Sequence, residues 1–130
     1  MANPNIVNVT NIYGNTGVAN VTTSATAIIT NTGSSGKVYK INQIVCANVN
    51  GSSAVNATVS IYTNGAVAQG SAPSGGTAYP VISTVSVPAN ASLIAVDKTT
   101  AIYLQEGTSI SVTSGTGSGI TYSISYEAIA

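Results

Sequence analysis

The sequence predicts an all-β fold, a two-sheet antiparallel sandwich of jelly-roll character with about eight or nine strands. Three observations predict it. Apolar and polar residues alternate with a period of two in several runs: Val55, Ala57, Val59 and Ile61 alternate with Asn56, Thr58, Ser60 and Tyr62, and Ile120, Tyr122, Ile124 and Tyr126 with Thr121, Ser123, Ser125 and Glu127. That is the pattern of strands with one face in a core and one in water. β-branched residues fill these runs, and their stiff side chains suit a pleated sheet. Gly, Asn and Ser clusters punctuate the runs, and no apolar stripe of helical spacing is present. A two-sheet sandwich and a partly open barrel both fit this pattern.

Taken in order, the first strand is expected over residues 6–13 and the second over 18–30, with the glycines at 14 and 17 between them. A turn at 31–36 leads to a long third strand, 37–48. This strand is apolar on both faces, with Tyr39, Ile41 and Val45 on one and Ile44 and Cys46 on the other, so it is expected to be central and covered twice. Asn50-Gly51 is a tight-turn signal before a fourth strand at 54–62. The fifth covers 78–87 and ends at Pro88, which cannot donate to a ladder. The sixth to ninth cover 92–96, 101–104, 108–113 and 119–128, with Glu106-Gly107 and 114–118 as turns. Any helix is one short turn.

The 130 residues form one domain, with a short N-terminal arm at 1–5 and a Gly/Ser-rich loop at 64–77. The loop is too long for a simple hairpin turn and reads as a mobile segment or as an arm ordered by a partner. Hydrophobic residues make up 44% of the chain, enough for a core without disulfide or metal.

Only 5% of the residues are charged, against about 25% in a typical soluble domain. They are Lys37, Lys40, Lys98, Asp97, Glu106 and Glu127, giving a net charge of +0. The surface is therefore built from Ser, Thr, Asn and Gly, and it lacks the self-repulsion that keeps many proteins apart. Three lysines and no arginine do not neutralise a run of phosphates, which argues against nucleic acid and against anionic membranes. No apolar run approaches the ~20 residues of a membrane span, and the N-terminus has no secretion-signal pattern.

The same inventory argues against catalysis. There is no His to titrate near neutral pH, and the three acids are far apart in sequence and read as solvated surface charge. Cys46 is the single cysteine, set in an apolar run, so a buried thiol is expected. Zinc has no ligand set, and for calcium Asp97 and Glu106 are the nearest pair of acids. No catalytic, cofactor or metal residue is therefore assigned. The N-x-[ST] triplets at Asn8, Asn20, Asn50, Asn56 and Asn90 are those that an Asn/Ser/Thr-rich chain makes by chance.

Partner contact is expected from the flexible segments and the tyrosines. Tyr122 and Tyr126 fall on the inward set; Tyr62 lies on the polar face of its strand, and Tyr13 and Tyr79 flank turns. Exposed tyrosines are common interface anchors. The contact set is Asn3, Pro4, Asn5, Tyr13, Tyr62, Gly70, Pro73, Gly75 and Tyr79.

Four segments, NPNIVNVTNIYGNTG, SGKVYKINQIVCANVNGSSAVNATVSIY, SVPANASLIAVDK and IYLQEGTSISV…SYEAIA, resemble a family of small structural proteins of tailed bacteriophages, especially marine, cyanophage-like ones. The resemblance spans nearly the whole chain and carries no catalytic residues. It implies a non-enzymatic virion protein, assembled in the host cytoplasm, that contacts the major capsid protein or other virion proteins. The leading expectation is a capsid decoration protein bound to the head exterior in many copies; the alternative is a tail, neck or fibre component, including a receptor- or glycan-binding module. A cyclic homo-oligomer, a trimer, is expected.

Overall fold

A computed structural model describes residues 4–63, 70–117 and 119–130. Among these described residues nine strands run in chain order: β1 Ile12–Val21, β2 Thr26–Asn31, β3 Val38–Asn48, β4 Val55–Thr63, β5 Thr77–Val87, β6 Ser92–Val96, β7 Ile102–Leu104, β8 Thr108–Ser114 and β9 Ile120–Ile129. One 3-10 turn, Lys98–Thr100, separates β6 from β7, and the Asp97 carboxylate caps it by accepting from the Thr99 N–H at 2.9 Å. All the pairing is antiparallel. One sheet has the order β1-β9-β3-β6, with β7 also on β3, and the other β2-β8-β4-β5.

If β6 and β7 count as one strand broken by the 3-10 turn, the two orders become 1-8-3-6 and 2-7-4-5. First pairs with last and second with second-last, which is the order of a jelly roll. The sandwich therefore replaces the open-barrel alternative.

The core lies between the sheets. The first sheet contributes Ile41, Ile44 and Cys46 from β3 and Ile120, Tyr122 and Ile124 from β9. The second contributes Val55, Ala57 and Val59 from β4 and Ile110 and Val112 from β8. Val59 and Ile124 are inward, as the alternation predicts. The Tyr122 ring is fully buried; its hydroxyl donates to the Thr113 carbonyl at 2.7 Å, so the one polar atom is satisfied. Tyr126 is only half-buried and leans on Tyr39, with ring centroids 5.3 Å apart.

Four expectations change. Residues 6–11 are not strand. Asn5 accepts from the Val7 N–H with its side chain and from the Asn8 N–H with its carbonyl, both at 3.0 Å, an Asx turn where a strand was expected; paired hydrogen bonding to the C-terminal strand starts with Asn11 and Ala130. The glycines at 14 and 17 do not turn the chain, because both lie within β1 in unbroken register with β9. The expected strand 18–30 is two strands in different sheets. Its break at Thr22 and Ser24 is held by Thr22 Oγ1, which accepts from the Ser24 N–H at 3.3 Å, and by the Thr22 carbonyl, which accepts from the Ser114 N–H at 3.1 Å. Finally, β3 is central but covered once. A register shift between Ile41 and Gln43 admits one extra residue, which brings Ile41, Ile44 and Cys46 to the same inner face and leaves Val45 outside.

Candidate functional site

The 31–36 turn is built around a buried acid. Glu106 is 3% exposed, and its two carboxylate oxygens accept from the Ser34 and Gly36 N–H groups at 3.0 Å each. Ser34 and Gly36 both have positive φ, 63° and 68°, which turns their N–H groups toward one point, an arrangement that binds anions. The buried Asn31 completes the clamp by donating to the Lys37 and Leu104 carbonyls at 2.9 Å each. The expectation of a solvated Glu106 is overturned, since its charge is spent on holding this turn. Asp97 is exposed, and Thr99 and then Thr100 hold its carboxyl below the usual range. The two acids thus serve two different turns.

The described part of the 64–77 loop, residues 70–76, is a strap across the outer face of the second sheet. At one end it pairs with the free edge of β2: Gly70 N–H donates to the Ala27 carbonyl at 2.8 Å, and Ala27 N–H to the Ser71 carbonyl at 2.9 Å. At the other end Gly76 N–H donates to the Tyr62 hydroxyl at 2.7 Å. Ser60, Ser109 and Ser111 are buried on a face that alternation assigns to solvent. Residues 64–69 lie outside the described residues. The strap is therefore tied at both ends to its own chain, where the sequence suggested a mobile segment or an arm ordered by a partner.

Among the described residues, no strand layers over the outer face of the first sheet. Register places Val18, Ser123, Val45 and Ile94 in one row across β1, β9, β3 and β6. Val18 is 74% and Ile94 57% exposed. On one side of this row lie Asn20, Thr121, Ala47 and Ser92, where Thr121 Oγ1 donates to Asn20 Oδ1 at 2.6 Å. On the other, the Thr16 and Ser125 hydroxyls meet at 3.3 Å. The strand residues carrying charge on this face are Lys40 and Glu127, directly opposite each other. The result is a surface of mostly small, uncharged side chains crossed by a row that carries Val18, Val45 and Ile94.

The predicted contact residues fall in separate places. Asn3 lies outside the described residues. Pro4 is half-buried in a shallow hollow shared with Ile6, Val38, Tyr103 and Gln105, while Asn5 closes the turn that follows. Tyr13 is exposed on β1 of the first sheet and Tyr79 on β5 of the second. Gly70, Pro73 and Gly75 belong to the strap, and Gly75 has a positive φ of 83°. Tyr62 is corrected: it does lie on the polar face, but the strap buries it to 7% exposure and uses its hydroxyl internally. No protein-family model, curated protein or solved structure matches this chain. The surface that sequence reasoning missed is the Val18–Val45–Ile94 row. Its signal was hidden, because the sequence reading broke β1 between residues 13 and 18 and the β3 shift conceals the side on which Val45 lies.

Among the described residues, no group of three or more His, Cys, Asp and Glu is placed to hold a metal ion. A hollow of about 310 Å³ at the β3 irregularity is lined by Asn42, Gln43, Asp97, Lys98 and Ser125, but its carboxylate is already the cap of the 3-10 turn. Cys46 is fully buried, and desolvation pushes its thiol up to about 12.

Proposed function

We propose that this chain is a non-enzymatic structural protein of a tailed-phage particle, a decoration protein that binds the head exterior in many copies against the major capsid protein. The observation that carries the reading is the exposed outer face of the first sheet, nearly uncharged and crossed by the Val18–Val45–Ile94 row. Such a face suits contact with another broad protein surface. Repetition over a lattice multiplies a weak contact into firm attachment. The resemblance of the four segments to virion structural proteins points the same way, and jelly rolls recur in viral shells, a fold-level analogy only. The absence of His and the use of Glu106 and Asp97 in turns favour a non-catalytic role.

The test is to locate and count this chain on purified particles of the phage that encodes it, by imaging and by quantification against the major capsid protein. Many copies at regular head positions, lost when Ile94→Lys places a charge in the apolar row, is the expected result. A few copies at the tail or neck would replace decoration with the tail or fibre reading. Absence from the particle would overturn both.

A further inference from the structure

Each of the two sheets has two edges, and three of the four are blocked against strand addition. β5 carries Pro80, which has no N–H, and its register with β4 shifts twice. The β6/β7 edge is interrupted by the Asp97-capped turn and bears Asp97 and Lys98. β2 is bulged, and its Ala27 is already bridged by Gly70 and Ser71 of the strap. These are the devices by which sheet proteins protect their edges.

Among the described residues, β1 has none of them. It is ten residues long, free of proline and charge, and in unbroken register with β9. Ile12–Thr16, Val18 and Asn20 are all exposed. Which of its backbone groups point outward follows from the ladder. Asn11 and Ala130 exchange both of their hydrogen bonds, at 3.1 and 3.0 Å. Antiparallel pairs alternate, so Tyr13, Asn15, Gly17, Ala19 and Val21 also bond to β9. The N–H and C=O groups of Ile12, Gly14, Thr16, Val18 and Asn20 therefore face away from the sheet.

We propose that β1 is the seam of a twofold homodimer, formed by antiparallel pairing of β1 with β1 of a second copy, with Thr16 on the axis. This register engages every outward residue: Ile12 meets Asn20, Gly14 meets Val18, and Thr16 meets Thr16 of the other chain. A slip by two residues in either direction leaves one end residue of each strand unpaired. The side chains also fit. On the outer face, exposed Val18 lies beside Gly14 of the partner, and the two Thr16 side chains are neighbours, a favourable cross-strand pair. On the other face, Tyr13 lies beside Ala19 and Asn15 beside Gly17. Large side chains thus meet small ones, and no charge opposes another. The interface is isologous and closed, so the product is a dimer in place of the cyclic trimer expected from the sequence. It joins two first sheets into one continuous sheet and does not depend on the particle assignment.

A seam one strand wide is at the small end of specific interfaces, about 1,200 Å² or less in total, so dimerisation should depend on concentration. Sedimentation velocity of the full chain across a concentration series, with hydrogen exchange of β1, tests it. The 12.9 kDa chain is expected to shift to twice that mass, with the Ile12, Gly14, Thr16, Val18 and Asn20 amides protected only at high concentration. Thr16→Pro removes an N–H that β9 does not use, and Val18→Lys sets a charge on each side of the axis. Both should stay folded by circular dichroism and remain monomeric at concentrations where the parent is a dimer. A parent that is monomeric throughout, a dimer whose outward β1 amides exchange freely, or a dimer indifferent to Val18→Lys would overturn the proposal.

Discussion

The Tyr62 hydroxyl accepts a 2.7 Å hydrogen bond from the N–H of Gly76, closing the strap over the second sheet. The approach is tight, since a Cβ at Gly76 would lie 1.7 Å from the Thr63 carbonyl oxygen and 3.1 Å from Tyr62 Cε1. A glycine and a buried tyrosine are thus coupled across fourteen residues of sequence.

Tyr62→Phe should therefore loosen the strap without unfolding the sandwich. The lost bond contributes about 1 kcal/mol, which raises local opening roughly fivefold. Hydrogen exchange at residues 70–76 should speed up by that factor while the melting temperature barely moves. Unchanged exchange there would mean that the Gly70–Ala27 end alone holds the strap.

Glu106 makes a second test, because its two acceptor oxygens each serve one N–H of a turn with positive φ at Ser34 and Gly36. Glu106→Gln turns one acceptor into a donor that faces an N–H. The expected loss is about 1–3 kcal/mol, the range for a buried group left unsatisfied. Thermal melting measures it, and a variant as stable as the parent would show the turn to be self-supporting.

The fold was largely legible because the strand signal is local. Alternation at Val55–Ile61 and Ile120–Tyr126 fixes the inner faces of β4 and β9, and both are as read. What failed depends on contacts between distant residues. Only pairing with β9 keeps Gly14 and Gly17 in a strand, and only the register shift after Ile41 places Ile44 beside it. Glu106 looked solvent-facing because its partners, Ser34 and Gly36, are seventy or more residues away. The proposed contact surface was harder still. Tyrosines advertise themselves in a sequence, whereas the row made by Val18, Val45 and Ile94 exists only once four strands are aligned.

Alkaline pH should destabilise the fold through two buried groups. Burial raises the Cys46 thiol from 9.0 to about 12, and raises the Tyr122 phenol above its ordinary 10.0. Below pH 9 both are protonated in the folded and unfolded chain alike, and the stability is complete. Above it the unfolded chain releases protons that the folded chain retains, so stability falls as pH rises through this window. Cys46→Ala removes the thiol contribution, so its melting curve should decline less steeply with pH than the parent's between pH 9 and 10, before Tyr122 ionises. The same burial predicts that Cys46 resists thiol-labelling reagents at pH 8 unless the protein is unfolded.

Val59 and Ile124 are 0% and 1% exposed and face the core from opposite sheets. An aspartate at either site would be an unpaired charge in an apolar layer, which costs several kcal/mol even after the group is neutralised by protonation. Domains of this kind have only about 5–15 kcal/mol of stability, so most of it is removed. Val59→Asp and Ile124→Asp should each unfold the chain at room temperature, read by loss of the cooperative melt. Val59→Ala and Ile124→Val, which shorten the same side chains without adding charge, should melt cooperatively at a lower temperature. That contrast separates a buried charge from a merely smaller core, and a cooperative, parent-like melt for either aspartate would place its strand face in water.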